Sequence, residues 1–150
     1  MTILLAIDGS PHSNEAVNEV AERQWPCGSS VHIVSVLQVP PLGLLGLPVA
    51  YFNDLIKPAT EHAENIVRTA TDKLSNALGS CVYVYGEVLK GSPKWAILEK
   101  ANRWGADLIV LGAHGHGFLE GLVMGSIGHA VVLHARCSVE IVRRRLSRPH

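Results

Sequence analysis

The run Thr2-Ile3-Leu4-Leu5-Ala6-Ile7-Asp8-Gly9-Ser10-Pro11 decides the fold. An aliphatic stretch with no polar alternation is the pattern of a parallel strand covered on both faces. It stops at an acid and a glycine, and Ser10 with Pro11 then opens a helix, with serine as the cap and proline at the first helical position. Ala16, Val17, Val20 and Ala21 form one apolar stripe opposite Asn14, Glu15, Asn18, Glu19 and Glu22, so this helix can lie on a sheet. The opening run has no basic leader and meets Asp8 at once, which reads as a first strand and not as a signal peptide.

Working outward, strand-length apolar runs alternate with segments of helical period. A second strand is expected at Val31–Val39. A long helix is expected at Pro58–Leu78, where Ala59, Ala63, Ile66, Val67, Ala70, Leu74 and Leu78 share a face and Gly79 ends the pattern. Between them, the tract Val36–Phe52 is broken by Pro40, Pro41 and Pro48 and is short for a membrane span. The loop from Pro40 to Pro58, with Leu42, Leu44, Leu45 and Leu47, reads equally as a lid or partner surface and as simple packing over the second helix. Cys81–Leu89 is a third strand, and Gly91-Ser92-Pro93 starts a helix that runs through Trp104 to Gly105. Asp107–Leu111 is a fourth strand, Gly125–Ala135 a fourth helix and Ser138–Arg143 a last strand. The expectation is a single α/β domain over residues 1–150 with a basic tail from about 144. Its fold would be a doubly wound, Rossmann-like, five-stranded parallel sheet of order 3-2-1-4-5 with helices on both faces.

Composition bounds the function. Thirteen Lys and Arg offset thirteen Asp and Glu, and 47% of residues are hydrophobic against 17% charged. Such a chain has the makings of a buried core, and its neutrality argues against a bulk electrostatic hold on nucleic acid or an anionic membrane. Cys27, Cys81 and Cys137 lie more than fifty residues apart with no C-x-x-C pair. They read as reduced, mostly core thiols of a cytosolic protein, without a zinc site.

Ligands of open α/β sheets bind beyond the carboxyl ends of the strands, where the winding reverses. That rule selects Ala6-Ile7-Asp8-Gly9-Ser10 after strand one and the loop from Gly112-Ala113-His114-Gly115-His116-Gly117 to Gly125-Ser126-Ile127-Gly128. Glycines in the loop admit positive φ and close backbone approach, so successive N–H groups can turn inward into an anion nest. A helix start at Gly125-Ser126 adds N–H donors, the positive end of the dipole and a hydroxyl. The bland alternative is a glycine-rich loop in which Ser126 only caps its helix. Asp8 is placed to accept a ribose hydroxyl or base amine, or else to cap helix one. His114 is a candidate phosphate neighbour and His116 is read as solvated, while two histidines at i, i+2 without a third ligand are weak grounds for a metal. Arg143-Arg144-Arg145 and Arg148 read as a solvated tail or a contact for an acidic partner or nucleic acid. Neither a Walker A motif nor G-x-G-x-x-G occurs, and no Ser-His-Asp or Cys-His arrangement has supporting spacing.

These residues resemble the universal stress protein family over essentially the whole chain. Three segments carry the likeness: Ile3–Ser10; Ala96–Ala101 with Ala106–Gly112; and Gly125–Cys137. Within that family the ATP-binding branch is marked by G-x2-G-x9-G-(S/T), and Gly112, Gly115, Gly125 and Ser126 fill every position. The resemblance implies that Ala6 and Asp8 line the adenine and ribose side, Val36 touches the base, and Leu111 and Gly112 add backbone contacts. It implies that His114, Gly115, Gly125, Ser126 and Ile127 surround the phosphates. It further implies a homodimer through Val139–Arg143. His116 stands where the family often has Arg or Lys, and Gly128 where it often has Ser, Thr or Ala, so AMP or ADP would compete with ATP, which would bind with Mg²⁺.

The expectation is therefore an ATP-binding cytoplasmic regulator or sensor in stress response, and not an enzyme, because no placed general base is visible. The alternatives are a slow Mg-dependent ATPase or phosphoryl or adenylyl transferase, and a nucleotide-free dimeric interaction module.

Overall fold

In the computed structural model, which describes residues 1–41, 46–115 and 124–144, β1 (Thr2–Ala6) sits at the middle of one sheet. It runs parallel to β2 (Ser30–Leu37) on one side and β4 (Leu108–Gly112) on the other, with Ala6 opposite Val34 and Leu111. β3 (Tyr83–Lys90) pairs with β2, and β5 (Ser138–Val142) pairs with β4, which gives the order β3-β2-β1-β4-β5. The expected topology holds in full.

The helices divide between the faces. Ile3, Leu5 and Ile7 pack with α1 (Pro11–Glu22) and α2 (Val49–Leu78), through Ala16, Val17, Val20, Val67, Ala70 and Leu74. Leu4 and Ala6 point the other way, into a cluster with Ile97, Leu98 and Ala101 of α3 (Pro93–Trp104) and Val131 of α4 (Ser126–His134). Ile3, Leu4 and Leu5 are fully buried, so the unbroken aliphatic run of β1 follows from burial on both faces. Ser10 caps α1 by accepting the Ser13 N–H, and Gly105 closes α3 in a left-handed conformation (φ +67°) that glycine adopts without strain.

Three expectations are corrected. First, α2 starts at Val49 and not at Pro58, which lies inside the helix. Proline's missing N–H leaves the Asp54 carbonyl without its helical donor. Asp54 and Pro58 are both exposed, so water can serve that carbonyl. Of the expected loop only its early part remains, with Leu42, Leu44 and Leu45 outside the described residues.

Second, Cys27 and Cys81 are not reduced core thiols: they form a disulfide, with Cα atoms 4.8 Å apart, and both residues are exposed. Parallel pairing of β2 with β3 brings their leading ends together, which a separation of 54 residues in sequence conceals. The inference of a reducing compartment from cysteine spacing goes with it. Cys137 is a half-buried free thiol. Third, strand three is preceded by a 3-10 turn at Gly79–Cys81 and begins at Tyr83.

The disulfide closes a loop that contains β2 and α2, and in the chain-entropy picture such a closure disfavours the unfolded state by about 4 kcal/mol. Urea unfolding of the double variant Cys27→Ser/Cys81→Ser is expected to show a loss of that order. An unchanged midpoint would mean the bond does not form.

Candidate functional site

The carboxyl ends of β1 and β4 lie side by side, and the turns that leave them are tied together. After β1 the chain passes through Gly9, whose φ of +79° belongs to the left-handed region. A Cβ there would also approach Ile66 Cδ1 of α2 to 2.8 Å, so both backbone and packing favour glycine. Ser13 Oγ accepts the N–H groups of Asp8 (3.1 Å) and Gly9 (3.3 Å). Asp8 Oδ1 accepts the Ser10 N–H at 2.9 Å, and Ser10 Oγ donates to the His114 carbonyl at 3.3 Å. The turn after β1 is thus bonded to the loop after β4.

Asp8 therefore has the turn-forming part of its alternative role, while Ser10 supplies the cap. Its other oxygen defines the floor of the site: a Cβ on Gly115 would stand 2.6 Å from Asp8 Oδ2. Only a residue without a side chain lets the loop run this close to the carboxylate. Gly112 is constrained differently, since a Cβ there would meet the His12 carbonyl carbon at 2.6 Å and the Ser13 nitrogen at 2.7 Å. Gly125 donates its N–H to the Ala113 carbonyl at 2.8 Å and precedes α4, whose start has no side-chain cap. Gly112, Gly115 and Gly125 all lack a left-handed φ. The positive φ expected of the loop glycines is thus absent at these three, while close approach is shown at Gly112 and Gly115.

The other candidates fall as follows. Ala6 and Leu111 are buried neighbours in register, with side chains in the core under α3 and α4. Val36 is half-buried near the carboxyl end of β2, opposite Leu89. Ser126 is exposed at the first turn of α4, and Ile127 packs partly into the core. His114 is only 8% exposed, and its ring stands edge-on to His12 of α1 with centroids 4.9 Å apart. His12 Nδ1 accepts the Arg144 N–H at 3.1 Å, so the chain beyond β5 returns to the start of α1. The His114 ring is thus a packed group. His116 and Gly117 lie outside the described residues, as does the tail from Arg145.

Sequence reasoning missed Ser13, which is 3% exposed and holds two N–H groups of the turn. Its signal was present as a second serine one helical turn after the cap.

Electrostatics agree with the packing. Burial, then the neighbouring His12 and Arg143, hold the His114 pKa below its ordinary value. Burial likewise lowers His32 on β2, against the opposing pull of Glu87 2.8 Å away.

An open doubly wound sheet with tied loops at its winding reversal defines a class of ligand-binding α/β domains. The chain belongs to the universal stress protein family: the family's model matches residues 1–143. It is 34% identical over 142 residues to the Thermus aquaticus "Universal stress protein in QAH/OAS sulfhydrylase 3'region", covering 95% of this chain and 98% of that one. It is 32% identical to universal stress protein A homolog 1 of Coxiella burnetii, with 91% and 92% covered. Among solved structures, UspA of Lactobacillus plantarum superposes with a TM-score of 0.77 at 25% identity, over 95% of this chain and 97% of that one. An Arabidopsis thaliana member with AMP bound (TM-score 0.68, 16% identity, 97% and 92% covered) shares the fold. So does an Archaeoglobus fulgidus member in complex with dAMP (0.64, 21%, 95% and 97%).

Two outcomes are expected. Gly112→Ala forces a methyl group into helix backbone, and overpacking of this kind costs about 1–3 kcal/mol; denaturant unfolding with no loss of stability would contradict the contact. For pH, a histidine whose folded pKa is lowered stays neutral while the unfolded chain takes up a proton. Stability is therefore complete above about pH 6.5, the unfolded value, and declines as pH falls toward the folded values. His114→Gln is expected to flatten that decline, leaving the part due to His32. An unaltered pH profile in the variant would remove His114 from the account.

Proposed function

We propose that the chain binds an adenine nucleotide, ATP with Mg²⁺ in the first place and AMP or ADP in competition, across the carboxyl ends of β1 and β4. The observation that carries this reading is the 2.6 Å approach between a Gly115 Cβ position and Asp8 Oδ2. It sets a carboxylate against a side-chain-free backbone, with the uncapped start of α4 following on the same loop. A carboxylate suits ribose hydroxyls or a base amine, and bare backbone with a helix N-terminus suits phosphate. In this reading Ala6, Asp8 and Val36 form the nucleoside side. Leu111 and Gly112 add backbone contacts, and the main chain of His114 and Gly115 joins Gly125, Ser126 and Ile127 around the phosphates. Family membership and the AMP- and dAMP-bound relatives of the same fold support it.

The chain is read as a regulator whose signal is the bound nucleotide, not as an enzyme. Packing of the His114 ring against His12 supports this, because it makes that imidazole a poor partner for an attacking water. A homodimer through Val139–Arg143 is part of the same proposal: among the described residues β5 is an outer strand paired with β4 alone, a natural template for a second copy.

Isothermal titration of ATP and Mg²⁺ into nucleotide-free protein tests the reading. A Kd on the order of 1 μM, about −8 kcal/mol, at one site per chain is expected. Gly115→Val should abolish binding with the circular dichroism spectrum retained. Asp8→Asn keeps an acceptor for the Ser10 N–H and should weaken nucleoside binding about tenfold, the value of a lost charge-assisted hydrogen bond. Absence of heat at several temperatures, or full affinity in Gly115→Val, would overturn the assignment.

A further inference from the structure

We propose that the Cys27–Cys81 pair is a thiol–disulfide exchange site, opened by a dithiol reductant and closed again by a small disulfide while the chain remains folded. Nothing in this depends on nucleotide binding, because the pair lies at the leading ends of β2 and β3, while Asp8 and Gly115 follow the carboxyl ends of β1 and β4.

Two features distinguish this pair from a structural staple. Access is the first. Both cysteines are exposed, and a Cβ built on Gly28, next to Cys27, would meet nothing within 4 Å. The same is true of Gly79, two residues before Cys81. An attacking thiolate must reach a sulfur along the S–S axis, and a pair at the exposed surface lacks the protection that burial gives a structural bond.

The second is that the cysteines are held together by more than their sulfurs. Gly28 donates its N–H to the Cys81 carbonyl at 2.7 Å, and Tyr83 donates to the Ser29 carbonyl at 2.9 Å. Ser29 is fully buried and bonds Pro26 through both its N–H and its hydroxyl. This backbone bracket persists when the S–S bond is cut, so two reduced thiols stay in reach of each other. The two core clusters flanking the sheet do not include either cysteine. Cys137 differs: it is half-buried, and burial and then Asp107 raise its pKa, which disfavours the thiolate that exchange requires.

The chemistry balances as follows. One thiolate of the reductant attacks Sγ of either cysteine, the S–S bond breaks, and its electron pair leaves on the other Sγ, which takes up a proton. The reductant's second thiol then attacks the mixed disulfide, closes into a cyclic disulfide and releases the second cysteine. Two electrons pass from dithiol to protein, and oxidised glutathione reverses the transfer with release of two glutathione thiols.

The test uses the full chain, with thiols counted by maleimide adducts in the intact mass after quenching in denaturant. Protein prepared without reductant is expected to carry one adduct, at Cys137. Incubation with dithiothreitol in native buffer should give three adducts with the circular dichroism spectrum unchanged, and oxidised glutathione should restore one. In Cys27→Ser, exposed Cys81 should take up one glutathione from oxidised glutathione. Reduction that succeeds only in denaturant would overturn the proposal by making the bond an inaccessible staple. Three thiols that oxidised glutathione fails to close, or loss of the spectrum on reduction, would overturn it equally.

Discussion

Everything in this molecule is referred to β1, which is covered on both faces and hydrogen-bonded along both edges. A strand with no exposed side must be nearly free of polar side chains, and Ile3, Leu4 and Leu5 meet that demand with zero exposure. Right-handed crossovers leaving such a strand place α1 and α2 on one face and α3 and α4 on the other. The winding then reverses between β1 and β4, and the loops after these strands are set side by side. The site is a by-product of that reversal, fixed in position before any ligand contributes.

What the loops add is proximity without side chains. Gly112 lets β4 end directly against the backbone of α1, and Gly115 lets the next turn pass beside Asp8. Ser10 and Ser13 complete the arrangement by bonding the first turn to itself and to His114. A short polar network of this kind holds geometry through several small contacts around one carboxylate, that of Asp8. The chain's overall neutrality is consistent with recognition by shape and local dipoles.

The alternation of strands and helices and the caps at Ser10 and Gly105 were legible because each is a local signal, and the neighbouring of the loops after β1 and β4 followed from the rule that right-handed winding reverses between them. The corrected readings share a cause: the outcome was decided by tertiary context. Pro58 marks a helix start in isolated sequence, yet an exposed proline is tolerated inside α2. Cys27 and Cys81 carry no pairing signal, since only the parallel alignment of β2 with β3 makes them neighbours. The contact of the His114 ring with His12 was equally hidden, because α1 meets this loop only in the fold. Positive φ, expected of the loop glycines, is absent at Gly112 and Gly115, where crowding excludes a side chain.

The internal proline divides α2 into unequal parts. At about 1.5 Å per residue, its 30 residues extend for roughly 45 Å, well beyond the reach of the strands beneath it. Downstream of Pro58, Ala63, Val67, Ala70 and Leu74 anchor the helix to the sheet, whereas upstream Phe52 is the buried residue. Where the proline interrupts the ladder of amide bonds, cooperativity between the two parts is also weakest. The first turns of α2 are thus held to the body of the domain chiefly by Phe52, and within this helix the cost of local opening is lowest there.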